Sequence, residues 1–178
     1  MELPVGPDLH LASLRRDDAP ALLAILDGER SAFDPWLRWS SELREVDAAE
    51  RFIADAIERE ATGNGFHLGI RRAGRLVGGV VCWYIQPYHR SCELGYWLAP
   101  AERGEGVVTR SMRVVIGRMF TVEGVHRIEL QCAVHNEASR RVAERLGFEL
   151  EGVRRGSHWI TDRFVDHAVY GLLVEDPR

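Results

Sequence analysis

Between an apolar run, Glu93-Leu94-Gly95-Tyr96-Trp97-Leu98, and an amphipathic run that begins near Val108 lies the segment Arg103-Gly104-Glu105-Gly106-Val107-Val108-Thr109-Arg110. The pattern reads as strand, loop with two glycines and an arginine, then helix. This stretch restricts the fold more than any other, because it is how a chain presents bare backbone N–H groups to an anion. Glycines allow close approach of the backbone, and a helix N-terminus adds about half a positive charge. A Gly-x-Gly loop also serves as a plain turn, with Gly95 and Gly106 then only a bulge and a turn. What surrounds it has to decide.

Before the loop, Leu9 to Leu14 reads as a strand, and Arg15-Arg16-Asp17-Asp18 opens a helix. An aspartate there caps it, and Pro20 is tolerated in the first turn. Leu22, Leu23, Ile25 and Leu26 form its apolar side up to Gly28. An aromatic connection, Phe33-Asp34-Pro35-Trp36-Leu37-Arg38-Trp39, leads to a second helix from about Val46 to Ala61, where Ala49, Phe52, Ile53, Ala56 and Ile57 recur at helical spacing. Strands over Gly65–Arg71 and Leu76–Gln86 flank a hairpin turn at Arg72-Ala73-Gly74-Arg75. Cys92–Leu98 is the strand before the loop.

After the loop, Val108, Met112, Val115, Ile116 and Met119 form one helical stripe, and Gly124 breaks it. His126–Val134 alternates as a strand. Asn136 caps a helix lined by Ala138, Val142, Ala143 and Leu146, which Gly147-Phe148 closes. Phe148–Val153 and Phe164–Leu173 form an antiparallel pair around a polar loop at 154–162. The order β-α-α-β-β-β-α-β-α-β-β is that of an α/β (α+β) fold: a mixed, mostly antiparallel seven-stranded sheet with about four helices.

The 178 residues suit a single domain with one substantial core, residues 1–178. A net charge of −4 argues against nucleic acid as partner, since phosphate-backbone binders carry a basic surplus. Cys82, Cys92 and Cys132 include no CxxC pair and suit buried thiols in a reducing compartment. Neither a signal peptide nor a membrane span is expected, so the chain reads as cytoplasmic. The histidines show no ligand spacing such as HExxH, so no metal is expected.

Four stretches in this order are similar to motifs of the GNAT N-acetyltransferases: Glu93–Leu98, Arg103–Thr109, Asn136-x-x-Ser139, and Arg145-Leu146-Gly147-Phe148-x-x-Glu151-Gly152. More narrowly they resemble the RimJ/RimL-type branch, which acetylates ribosomal-protein N-termini. The likeness runs over the whole chain. The superfamily usually has Gly or Ala where Val108 stands, whereas this branch often carries a larger residue. The resemblance implies acetyl-CoA as donor, no metal, and a primary amine as acceptor, either a peptide N-terminus or a small molecule. It also implies a homodimer.

By the same resemblance, the loop residues Arg103, Gly104, Glu105, Gly106, Val107, Val108 and Thr109 cradle the diphosphate. Backbone groups near Tyr96, Trp97 and Leu98 hold the pantetheine arm, joined by Asn136. Ser139 is implied as the acid beside the departing sulfur, although Asn136 and Ser139 also read as a plain cap and first turn. For the base, the branch has a glutamate where His158 aligns, and histidine titrates near neutrality. Glu93 competes for that role, or sits in a structural network. Trp36, Trp39 and Trp159 are candidates to wall the acceptor site, while Trp83 and Trp97 read as sheet core.

Other classes fit less well. A Rossmann-type dehydrogenase would need a third glycine at Thr109 and an earlier βαβ position for the loop. A P-loop enzyme would need Gly-Lys-Ser/Thr. A non-catalytic acyl-CoA-binding regulator fits the loop equally well. Within enzymes, an antibiotic-like amine or an aminoacyl-nucleotide remains an alternative acceptor.

Overall fold

The strands over Phe66–Arg72 and Arg75–Gln86 are buried on both faces through most of their length, and a two-residue turn joins them. The computed structural model describes residues 1–177. The strands are β1 (Glu2–Pro4), β2 (Leu9–Ser13), β3 (Phe66–Arg72), β4 (Arg75–Gln86), β5 (Ser91–Leu98), β6 (Arg127–Ala133), β7 (Glu149–Ile160) and β8 (Arg163–Leu173). Ala73 (φ 47°) and Gly74 (φ 78°) make the β3–β4 turn, and positive φ at both positions matches the twist of the flanking strands.

Among the described residues eight strands form one sheet in the order β1-β2-β3-β4-β5-β6-β8-β7, in which β5 and β6 are the parallel pair. The sequence suggested seven. The extra one is β1, which pairs Leu3 with Leu11 of β2; three residues ending in proline carry no alternation to read.

The helices are α1 (Ala19–Gly28), α2 (Arg30–Phe33), α3 (Arg38–Glu42), α4 (Val46–Ala61), α5 (Val107–Thr121) and α6 (Glu137–Arg145). The aromatic connection is therefore partly helical, as α2 and α3. Asp18 stands before α1 but does not cap it with its side chain. Its carboxylate instead accepts from Arg15 N–H at 2.8 Å and from Arg71 at 2.7 Å, because a partly buried guanidinium is the stronger partner.

Two cores result. On one face, the stripe Met112, Val115, Ile116 and Met119 of α5 packs with Ala143 of α6 and Leu146 at its end against Leu68, Leu94, Leu130 and Tyr170 of the sheet. On the other, α1 and α4 enclose Leu22, Leu26, Phe33 and Ile53 with Trp97 of β5. No residue of β6, β7 or β8 joins this second core among the described residues. β7 lies at the sheet's edge.

Two irregularities shape the middle and the end of the sheet. In β4, Cys82 pairs with Leu94 and Tyr84 with Glu93, leaving Trp83 as an extra residue. A bulge of this kind bends the strand and sharpens its twist. In β7, Arg154 pairs with His167 and His158 with Val165, so β7 takes four steps where β8 takes two. The polar loop expected at 154–162 is in fact strand as far as Ile160. The bulge residues Arg155-Gly156-Ser157 erase the alternation, but pairing with β8 resumes beyond them, and Gly156 (φ 55°) gives its N–H to Asp166 at 2.7 Å.

Candidate active site

The ladder between β5 and β6 runs only from Ser91/Arg127 to Leu94/Leu130. Beyond it, β5 stays with β4 as far as Leu98 and β6 stays with β8 as far as Ala133. Two parallel neighbours each held by their outer partner therefore splay apart, and among the described residues the inner edge of β5 over Gly95–Leu98 is left without a strand partner. Open edges of this kind accept an extended ligand through main-chain hydrogen bonds.

The loop lies just past that edge. Gly104 (φ 85°) and Gly106 (φ 70°) are left-handed, and no side chain caps α5, which starts directly after Gly106. The first intrahelical bond of this turn is Arg110 N–H to Gly106 O at 2.9 Å. The N–H groups of Val107, Val108 and Thr109 thus have no acceptor within the helix. Arg72, in the β3–β4 hairpin, fastens the loop from behind. Its guanidinium reaches Glu102 at 2.9 Å, Glu105 at 2.6 Å and Asp8 at 3.1 Å. Glu105, expected among the cofactor residues, turns its side chain to Arg72 and does not line the cleft, so only its backbone faces that role.

A cleft of about 1290 Å³ runs from this loop along β5 to the β7 bulge. It brings together Tyr96, Trp97, Leu98, Arg103, Gly104, Gly106, Val107, Val108, Thr109 and Asn136 with Ser139, His158 and Glu93, and with Trp36, Trp39 and Trp159. Asn136 does cap α6, accepting from Ser139 N–H at 3.1 Å, which leaves its amide nitrogen uncommitted by the cap. Across the splay, Tyr96 Oη and Ser139 Oγ lie 2.7 Å apart. Burial pushes the Tyr96 hydroxyl up, and its bond to Ser139 partly offsets this, so the phenol stays protonated. The sequence suggested only a backbone role for Tyr96. The parity of β5 carried the missing signal: Tyr96 shares the face of Cys92 and Leu94, which is the face α6 packs on.

The opposite face holds a polar chain. Gln131 gives its amide N–H to Glu93 at 3.3 Å, and Arg154 reaches the Gln131 carbonyl at 3.3 Å. Burial, and then the neighbouring Glu129, push the Glu93 carboxyl up. At the end of the chain the rings of His158 and His167 stack, with centroids 3.6 Å apart and planes within 7°. Ser157 Oγ lies 2.9 Å from His158 Nδ1. Burial and then Arg154 hold His158 below the usual histidine range; burial, then His158, then Arg154 bring His167 down to about 4. Both rings are neutral at pH 7. His167 went unnoticed in the sequence, although a histidine between Val165 and Val169 on one face of an apolar strand marks a polar group turned inward.

The tryptophans divide differently from expectation. Trp97 is core, giving its indole N–H to His67 Nε2 at 3.0 Å. Burial drives His67 down to about 3, so it stays a neutral acceptor. Trp39 stacks on Phe52 at 4.9 Å and meets Trp97 edge-on at 5.9 Å. Trp83, read as core, instead reaches the cleft, because the bulge sets it outside the strand's alternation; Arg59 lies over its ring at 5.5 Å. Trp159 meets Phe164 edge-on beside the opening. No metal-ligating cluster occurs among the described residues.

Residues 8–149 match the family model described as Acetyltransferase (GNAT) domain. The chain belongs to the GNAT acetyltransferase family. This GNAT chain is 29% identical to YdaF of Bacillus subtilis, over 97% of its own length and 94% of that protein's. It is 21% identical to the ribosomal-protein-serine acetyltransferase of Escherichia coli, over 96% of each. Its fold is that of RimL, a ribosomal L7/L12 α-N-protein acetyltransferase solved with coenzyme A: TM-score 0.94, 21% identity, 98% of this chain and 99% of that one.

Acetyl-CoA is the acetyl donor, and the residues present fit it. The uncapped start of α5 behind two left-handed glycines suits a diphosphate, and the free β5 edge suits the pantetheine amides.

Proposed function

We propose that this acetyltransferase modifies the N-terminal α-amine of a protein of the ribosomal class, in the cytoplasm. The observation that carries the reading is where the cleft leads: from the cradle at α5 along β5 to the β7 bulge, where residues of α2, α3 and β7 line an opening able to admit a chain terminus. The names of the relatives above favour the same acceptor.

Acetyl-CoA supplies an activated acyl group whose carbonyl carbon takes the amine as the C–S bond breaks. The N–H groups at the start of α5, with Arg103, fix the diphosphate. The β5 edge holds the amides, with the Asn136 amide nitrogen aiding, and a β5 N–H near Tyr96–Leu98 stabilises the developing oxyanion. Ser139 Oγ gives its proton to the sulfur and is reprotonated from solvent, with Tyr96 Oη holding the hydroxyl in place. On the other face, His158 in its neutral form takes a proton from the nitrogen. Glu93, held by Gln131 and pushed toward its neutral form, orients the amine. Trp36, Trp39 and Trp159 wall the acceptor. The reading includes a homodimer whose second copy covers the apolar residues left exposed around β7, among them Leu150, Val153 and Phe164; sedimentation should show a species of twice the chain mass at micromolar concentration, and a monomer throughout would remove the dimer.

The deciding experiment offers ribosomal-protein N-terminal peptides and a panel of small amines with acetyl-CoA. Turnover of peptides with free α-amines is expected. Turnover of the small amines alone would overturn the ribosomal acceptor, and acetyl-CoA binding without CoA release in the presence of either would favour a non-catalytic acyl-CoA-binding regulator.

A further inference from the structure

The base assigned above is one ring of a stacked pair, and its partner is the less satisfied of the two. His167 is 93% buried, lines the cleft, and has no hydrogen-bond partner at Nδ1 or at Nε2 among the described residues. His158 has Nδ1 engaged with Ser157. A buried imidazole with neither nitrogen engaged carries a large desolvation cost that a bound molecule would relieve. The stacking is enforced. His167 is fixed by its pairing to Ala133 on one side and Arg154 on the other, and the two surplus residues of the β7 bulge bring His158 back over it.

We propose that the His158–His167 pair acts as one proton-accepting unit that holds a single charge, with His167, in place of His158, supplying the ring nitrogen that meets the amine N–H. This rests on the reading that the base lies on this face. Two rings 3.6 Å apart cannot both be charged cheaply, just as two carboxylates sharing a site cannot. Stacked face to face, they also cannot hydrogen-bond each other, so among the described residues both nitrogens of His167 are left for a bound molecule to engage. As the new C–N bond forms, an N–H bond of the nitrogen breaks; the proton goes to His167 and the electron pair stays on nitrogen. The imidazolium then returns the proton to solvent.

A unit that repels a second cation favours an amine already neutral when it arrives. An α-amine (pKa about 7.7–8.0) is neutral far more often at pH 7 than a lysine side chain (about 10.4), a difference of more than a hundredfold. The other charged or titratable groups around this end are Arg154 of β7, Asp166 of β8, Glu93 of β5, His135 after β6, and Arg38 and Glu42 of α3. Of these, Arg154 reinforces the neutral state of the pair, and Asp166 is engaged by the Gly156 N–H.

The test compares His167→Gln with His158→Gln on an α-amine peptide, with pH profiles. For His167→Gln, kcat should fall about a hundredfold with the KM for acetyl-CoA unchanged, and added imidazole should partly restore activity in His167→Ala. For His158→Gln, kcat should fall less, and the acid limb should move toward higher pH because the repelling ring is gone. Wild-type kcat in His167→Gln with loss in His158→Gln would overturn the pair and leave His158 as a lone base. Wild-type kcat in both would remove the base from this face altogether. Should the variants fold poorly, NMR titration of the wild-type histidines decides. A His167 signal that titrates well below 6.5 and shifts on addition of acceptor peptide supports the unit; one titrating near 6.5, or insensitive to the peptide, overturns it.

Discussion

The two ends of the cleft are built from different materials. The donor end is made of backbone: the uncapped first turn of α5, two left-handed glycines and a strand edge. The end proposed for the acceptor is made of side chains, brought together by bulges in β4 and β7 and by pairing between distant strands. Backbone recognition depends on conformation and tolerates many side chains. Side-chain recognition depends on where each strand's register slips. The donor end can therefore stay constant while the acceptor end changes.

Substitutions at the two ends should accordingly separate in the kinetics. The largest effect is expected between them, at Ser139: Ser139→Ala should lower kcat about a hundredfold or more with either KM little changed. A change confined to the KM for acetyl-CoA would make Ser139 a binding residue and move it to the donor side. Next, Gly106→Val places a β-branched side chain at φ 70°, a conformation that costs about 1–2 kcal/mol or more. The KM for acetyl-CoA should rise about tenfold while the peptide KM stays put. An equal rise in both would show that the ends are coupled.

A smaller effect is expected at Arg72, which touches neither substrate. Arg72→Ala frees Glu102 and Glu105 beside the diphosphate cradle, so the KM for acetyl-CoA should rise several-fold, and Glu105→Gln in the same chain should recover part of it. No recovery would mean that Arg72 supports the loop by shape and not by charge. Trp159→Ala should raise only the peptide KM, and a matching rise for acetyl-CoA would erase the distinction. Smallest in kinetic terms is a stability effect at the acceptor end. The folded pKa of His167 lies below its unfolded value of 6.5, so the unfolded chain binds more protons between pH 6.5 and about 4. Stability should fall across that window by about 1.4 kcal/mol per pH unit for this ring and level off below it. In His167→Gln the thermal melting point should depend less steeply on pH over the same range.

The same contrast explains what could be read from the sequence. Gly104 and Gly106 announce their backbone conformation, so the loop was legible. The stripe from Val108 to Met119 fixed α5, and Asn136 with Ser139 marked the start of α6. The Tyr96–Ser139 bond needed only the parity of β5. The stacking of His158 on His167 was not legible, because it depends on how many residues β7 inserts opposite β8, which nothing in Arg155-Gly156-Ser157 states. Trp83 escaped for the same reason: one extra residue in β4 moves its side chain into the cleft. Arg72 was assigned to a turn, and its three carboxylate partners come from positions 8, 102 and 105, far from it in the chain.

The β7 bulge also bears on solubility. β7 spans twelve residues at the end of the sheet, with one edge open and apolar side chains such as Leu150 and Val153 on view. A long, flat, unpaired edge invites other chains to add to it, whereas a twisted one carrying positive charge resists addition. Arg154, Arg155 and the positive-φ Gly156 interrupt this edge midway along its length. Deleting Arg155 and Gly156 to make β7 regular would therefore remove a barrier to aggregation as well as move a histidine. In this part of the chain the bulge that stacks His158 on His167 also hinders strand addition along the open edge.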